Sequence, residues 1–120
     1  ILIYPIPEIG YNVKNALLNK YLRNKKKSNM IDIDDQITVS YDFYKIKQKE
    51  AFEILDSIKN KNIYRVYPHE VFCNNLIKNK CVTHDKKNIF FYDGFHLSNT
   101  GSKMVNKLIL DKIKLIENIN

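Results

Sequence analysis

Tyr92-Asp93-Gly94-Phe95-His96-Leu97-Ser98-Asn99-Thr100-Gly101 (residues 92–101) joins two unlike patterns. Before it runs Asn88-Ile89-Phe90-Phe91-Tyr92, a short apolar and aromatic segment with strand character. After it, Met104, Val105, Leu108, Ile109, Ile113 and Ile116 recur at helical spacing, which predicts a helix from about Ser98. Asp93 and His96 therefore lie on a strand-to-helix turn, and a separation of three lets both side chains face one side. A carboxylate within reach of an imidazole Nδ1 fixes the tautomer and stabilises the imidazolium formed when Nε2 accepts a proton. Gly94 frees the turn to bring the two together. By itself an Asp-x-x-His spacing is common, and reads first as a turn aspartate and a polar helix-entry histidine.

Working outward, strands and helices alternate, which predicts an α/β architecture. Ile1-Leu2-Ile3-Tyr4 reads as a buried strand stopped by Pro5 and Pro7, neither of which can donate to a ladder. A chain that opens on a core strand is expected to have sequence before it. The loop from Pro5 to Gly10 then sits at the C-terminal end of that strand, where open α/β sheets bind ligands. Asn12 is placed to cap a helix running to about Arg23, with Val13, Ala16, Leu17 and Tyr21 at helical spacing. Residues 24–36 are polar and loop-like. Ser40 caps a helix to about Asn60, whose stripe includes Tyr44, Phe52, Leu55 and Ile58. Ile63 to Tyr67 is a second strand closed by Pro68, and His69 to Phe72 suits a helical turn. Cys81-Val82-Thr83 and Asn88 to Tyr92 are expected to pair across His84-Asp85-Lys86-Lys87. His69 and His84 are both expected on the surface. Glu8 is either a pocket-rim residue or an exposed loop carboxylate. Tyr64 and Tyr67 read as packing residues.

The 120 residues are 44% hydrophobic, enough for one compact core and too apolar for a disordered chain. No run reaches the roughly 18 apolar residues of a spanning helix. The net charge of +7 rests on lysine, with only Arg23 and Arg65 as arginines. Lys25-Lys26-Lys27 is the one basic run and reads as a solvated loop before it reads as an anion contact. Cys73 and Cys81 are close enough for a disulfide in an oxidising compartment, and their spacing equally allows two free thiols. No Cys/His cluster has zinc spacing, so no metal site is expected.

Residues 92–101 resemble the last conserved block of SGNH hydrolases, in which an Asp-x-x-His pair precedes Leu-Ser, a short stretch, Gly and a helix. Two further stretches resemble one branch, the SGNH domain fused to acyltransferase-3 membrane proteins. They are Ile3-Tyr4-Pro5-Ile6-Pro7-Glu8-Ile9-Gly10, and the segment from Val66-Tyr67-Pro68 through Phe72-Cys73 to Cys81. The resemblance implies a three-layer α/β/α, flavodoxin-like sheet, incomplete at its N-terminal side, with residues 1–120 as the C-terminal part of one domain. It implies that His96 is the general base and Asp93 its orienting carboxylate, and that Cys73 and Cys81 form a disulfide. It further implies a periplasmic domain of a bacterial inner-membrane protein, preceded in the same polypeptide by the acyltransferase-3 module. Its chemistry would be transfer or removal of acyl groups, most often acetyl, on a surface polysaccharide such as lipopolysaccharide. No cofactor and no nucleic-acid partner is expected.

The chain departs from that pattern in lacking the Gly-Asp-Ser block of the nucleophile and the oxyanion-hole Gly and Asn blocks. Its serines are Ser28, Ser40, Ser57, Ser98 and Ser102, and none follows a strand in a glycine-rich turn. Ser98 reads as a helix cap. The 120 residues alone are therefore expected to be inactive. The alternatives are a truncated, catalytically inactive remnant and a basic anion-binding module.

Overall fold

Proline ends the first strand early. In the computed structural model, which describes residues 1–24 and 37–118, β1 spans only Leu2–Ile3 before the Pro5–Gly10 loop. The Lys25-Lys26-Lys27 run and residues 25–36 of the expected loop lie outside the described residues. α1 follows as Val13–Asn24, with Asn12 Oδ1 accepting the Asn15 N–H at 2.9 Å. Thr38–Ser40 forms β2, and α2 is Tyr41–Ser57, capped by the Ser40 hydroxyl, which accepts from the Phe43 N–H. β3 is Arg65–Val66, followed by a 3-10 turn over Pro68–Val71. β4 is Lys80–Val82 and α3 is Asn99–Glu117. The chain is thus α/β, as the alternation predicts. Its described strands form two separate two-stranded sheets.

β1 and β3 pair in parallel, Leu2 opposite Arg65 and Ile3 opposite Val66. Leu2 and Tyr4 donate their N–H groups to Tyr64 O and Val66 O. α2 is clamped across this pair. Tyr44 donates its hydroxyl to Pro5 O at 2.8 Å, Tyr4 donates to Asp56, and Arg65 Nε donates to Tyr4 Oη at 3.0 Å. Tyr4 also packs on Phe52 and Tyr67, with ring centroids 4.8 and 4.4 Å away. Such ring pairs contribute about 0.5–1.5 kcal/mol each beyond area burial. The expectation of a fully buried first strand needs correction. Tyr4 is buried, but Ile1 and Ile3 are 51% and 47% exposed. They alternate with Leu2 and Tyr4, so they occupy the uncovered face of β1.

β2 and β4 pair antiparallel, Val39 opposite Cys81. This corrects the expected hairpin. Cys81 and Val82 are engaged by β2 and by Phe72, whose carbonyl accepts the Val82 N–H. The return pairing therefore begins only at Thr83, whose carbonyl accepts the Phe90 N–H at 2.9 Å, with His84 bridging Ile89. The turn itself is shaped by Asp85, whose Oδ1 accepts from the Lys87 and Asn88 N–H groups.

Both surface histidines of the sequence reading are buried. His84 engages Asp85 O through Nδ1 and accepts the Ile37 N–H through Nε2, so it ties the entry of β2 to the hairpin. His69, only 8% exposed, is boxed by Tyr41, Tyr44, Phe52 and Tyr67, with ring centroids 5.3–6.0 Å from its own. Its Nδ1 has no hydrogen-bond partner. Burial holds its pKa below the ordinary histidine value, against a smaller upward pull from Glu70.

Candidate active site

The turn carrying Asp93 and His96 is held from both sides. On the strand side, Phe91 bridges Leu97 and the Tyr92 N–H donates to His96 O at 2.7 Å. On the helix side, the Ser98 N–H donates to Phe90 O at 2.9 Å, and the Ser98 hydroxyl donates to Ile89 O while accepting from the Gly101 N–H. Gly101 then lies directly on the Phe90 carbonyl. Val105, buried one turn on, joins Phe72, Phe90 and Phe91 in the core. From below, the Ile9 and Gly10 N–H groups both donate to Gly94 O, at 2.8 and 3.1 Å. A Cβ on Gly94 would stand 2.9 Å from Tyr11 N. Glycine at 94 is thus required less for flexibility than for this close approach of the two loops.

Within the turn one carboxylate does several jobs. Asp93 Oδ1 accepts the Phe95 and His96 N–H groups at 2.7 and 2.8 Å. Asp93 Oδ2 lies 2.9 Å from His96 Nδ1. The Phe95 N–H first, then the His96 ring and the His96 N–H, hold the Asp93 carboxyl down at about 2, so it is ionised across the neutral range. An ionised carboxylate on Nδ1 favours the tautomer that carries its proton there. The imidazole is otherwise solvent-exposed, which leaves Nε2 free to exchange a proton with a bound molecule. The two residues predicted as a pair are therefore brought together in an orienting geometry.

The other candidates fall elsewhere. Ser98 is a helix cap with its hydroxyl engaged, as its sequence context suggests. Ser40 caps α2, and the Ser57 hydroxyl donates to Ile54 O. Ser28 lies outside the described residues. Glu8 is half-buried and engaged by Lys47 and Gln48, so its carboxylate braces the loop against α2. Cys73 and Cys81 form a disulfide. Among the described residues, no helix is long and apolar enough to cross a membrane.

Sequence reasoning did not single out Tyr92, which stands next to the pair. Phe90 and Phe91 are both buried, and Tyr92, the next residue, is 71% exposed. Its place directly before Asp93, at the end of an aromatic run, was the available signal.

A family model described as "SGNH domain (fused to AT3 domains)" matches residues 1–111. No curated protein and no solved structure matches the chain.

Proposed function

Since this chain belongs to the SGNH domain family found fused to AT3 domains, we propose that it is the C-terminal part of a serine esterase or O-acyltransferase domain, with His96 as general base and Asp93 as its orienting carboxylate. The observation that carries the reading is the 2.9 Å contact of Asp93 Oδ2 with His96 Nδ1, on a turn that leaves Nε2 open. The family links the chain to acyl transfer and ester hydrolysis, and to an acyltransferase-3 module in the same polypeptide. Our reading adds an acetyl group as the usual cargo and a surface polysaccharide such as lipopolysaccharide as its carrier. It places the domain on the periplasmic side of the membrane, and the serine and oxyanion donors in sequence upstream of Ile1. The upstream strands would extend the β1–β3 pair into the three-layer sheet of the family.

The chemistry then runs in two symmetrical halves. The serine hydroxyl gives its proton to His96 Nε2 as its oxygen attacks the acyl carbonyl. His96 returns that proton to the departing alcohol, leaving an acyl-serine. An acceptor hydroxyl next gives its proton to Nε2 and attacks the acyl-serine, and His96 reprotonates the serine as the new ester leaves. Asp93 stays ionised throughout and stabilises the imidazolium of each half. Water in place of the acceptor makes the same steps a hydrolysis.

The reading of the isolated chain as inactive rests on its serines, none of which stands in a Gly-Asp-Ser block. p-Nitrophenyl acetate turnover tests both statements. In the full polypeptide, His96→Ala and Asp93→Asn are expected to lower kcat by about 10²–10⁴-fold, the usual contribution of a positioned base. The 120 residues alone are expected to give no turnover above background. Full activity in His96→Ala would sink the assignment, and His96-dependent turnover by the 120 residues would place the nucleophile within them.

A further inference from the structure

We propose that Tyr92 is the acceptor platform of this site, a flat aromatic face beside His96 on which a pyranose ring of the acceptor stacks. The inference rests on the acyl-transfer reading above and deepens it. Tyr92 and His96 sit opposite one another, because Phe91 bridges Leu97 and the Tyr92 N–H donates to His96 O. Phe90 and Phe91 are both buried, whereas the Tyr92 and His96 side chains are both largely exposed. Phe95, inside the same turn, is 57% exposed, and Tyr11, whose backbone abuts Gly94, is exposed as well.

A large ring left in water beside a reactive histidine suits a ligand with one apolar face and a polar rim. A pyranose is such a ligand, with C–H bonds on its faces and hydroxyls at its edge. His96 Nε2 must come within hydrogen-bond reach, about 2.6–3.2 Å, of the hydroxyl it deprotonates. A hexose held by one hydroxyl at Nε2 has its ring carbons next to that atom, over the neighbouring side chain. Water, the competing acceptor, has no face to stack and gains nothing from Tyr92. The residue therefore bears on the partition of the acyl-serine between sugar and water, which the triad itself does not decide.

The partition is measurable in the full polypeptide. p-Nitrophenyl acetate serves as donor, and alkali-de-esterified surface polysaccharide from the producing cell competes with water as acceptor. Tyr92→Ala is expected to lower the ratio of transfer to hydrolysis by about fivefold or more, through a higher KM for the polysaccharide, since the stacking surface is lost. Tyr92→Phe and Tyr92→Trp, which keep a ring, are expected to hold the ratio within about twofold of the parent. A merely structural role would lower both reactions together and leave the ratio unmoved, and that result overturns the proposal. Loss in Tyr92→Phe equal to that in Tyr92→Ala also overturns it, by assigning the effect to the hydroxyl. An unmoved ratio alongside His96-dependent hydrolysis defeats this inference alone. Absence of His96-dependent hydrolysis in the parent defeats the acyl-transfer reading, and this inference with it.

Discussion

Gly101 rests on the carbonyl of Phe90 so closely that a Cβ there would lie 2.1 Å from the oxygen. Helix α3 reaches the segment before the Asp93–His96 turn at this point, beside the Ser98 bonds to Ile89 and Phe90. Gly101→Ala must push the helix off the strand, an overpacking that costs about 1–3 kcal/mol. Urea denaturation should show that loss, with p-nitrophenyl acetate turnover of the full polypeptide falling as His96 shifts. A stability change under about 0.5 kcal/mol, the range of an ordinary surface substitution, would mean that the contact is looser than described.

The Cys73–Cys81 disulfide closes a short loop next to β4, within the core that holds Phe72 and Val82. On a chain-entropy estimate a loop of this size contributes about 2–3 kcal/mol. Reduction, or the double substitution Cys73→Ala with Cys81→Ala, should lower the unfolding free energy by that amount. Equal denaturation midpoints with and without reductant would remove the disulfide from the list of stabilising features.

The aromatic box around His69 predicts a pH dependence of stability. Burial lowers the folded-state pKa of His69 below its unfolded value. In the window between the two, the unfolded chain binds more protons, so stability falls as pH drops from about 6.5 towards the folded value. His69→Phe, which keeps a ring in the box, should flatten that slope below about pH 6.5. An unchanged slope in the variant would assign the acid sensitivity to other groups.

Legibility in the sequence followed range. α2 and α3 were readable because their periodic apolar positions run for several turns and a serine caps each one. The Asp93–His96 contact was readable because the partners stand three positions apart in the chain. The pairing of β2 with β4 was not, since it joins Thr38–Ser40 to Lys80–Val82 and each strand is too short to show alternation. The His69 box draws Tyr41, Tyr44 and Phe52 from α2, and Tyr67 from the end of β3, so no local pattern announces it. Tripeptide-scale reasoning places a histidine after proline in water. The aromatic side chains that fold over it overrule that preference. Ile1 and Ile3 erred the other way, because an apolar run states what a strand could bury and not what covers each of its faces.

The two histidines report on folding at different scales. The Asp93–His96 contact closes a loop of three residues, so little chain entropy opposes it and it can persist while distant parts of the chain open. The environment of His69 exists only when α2, the end of β3 and the 3-10 turn are all in place. In a proton spectrum the His69 ring is thus a gauge of global order, and the His96 ring a gauge of its own turn. A preparation judged native by the His96 signal alone could have lost its core. The His69 resonance, shifted by four surrounding rings, is the one to watch.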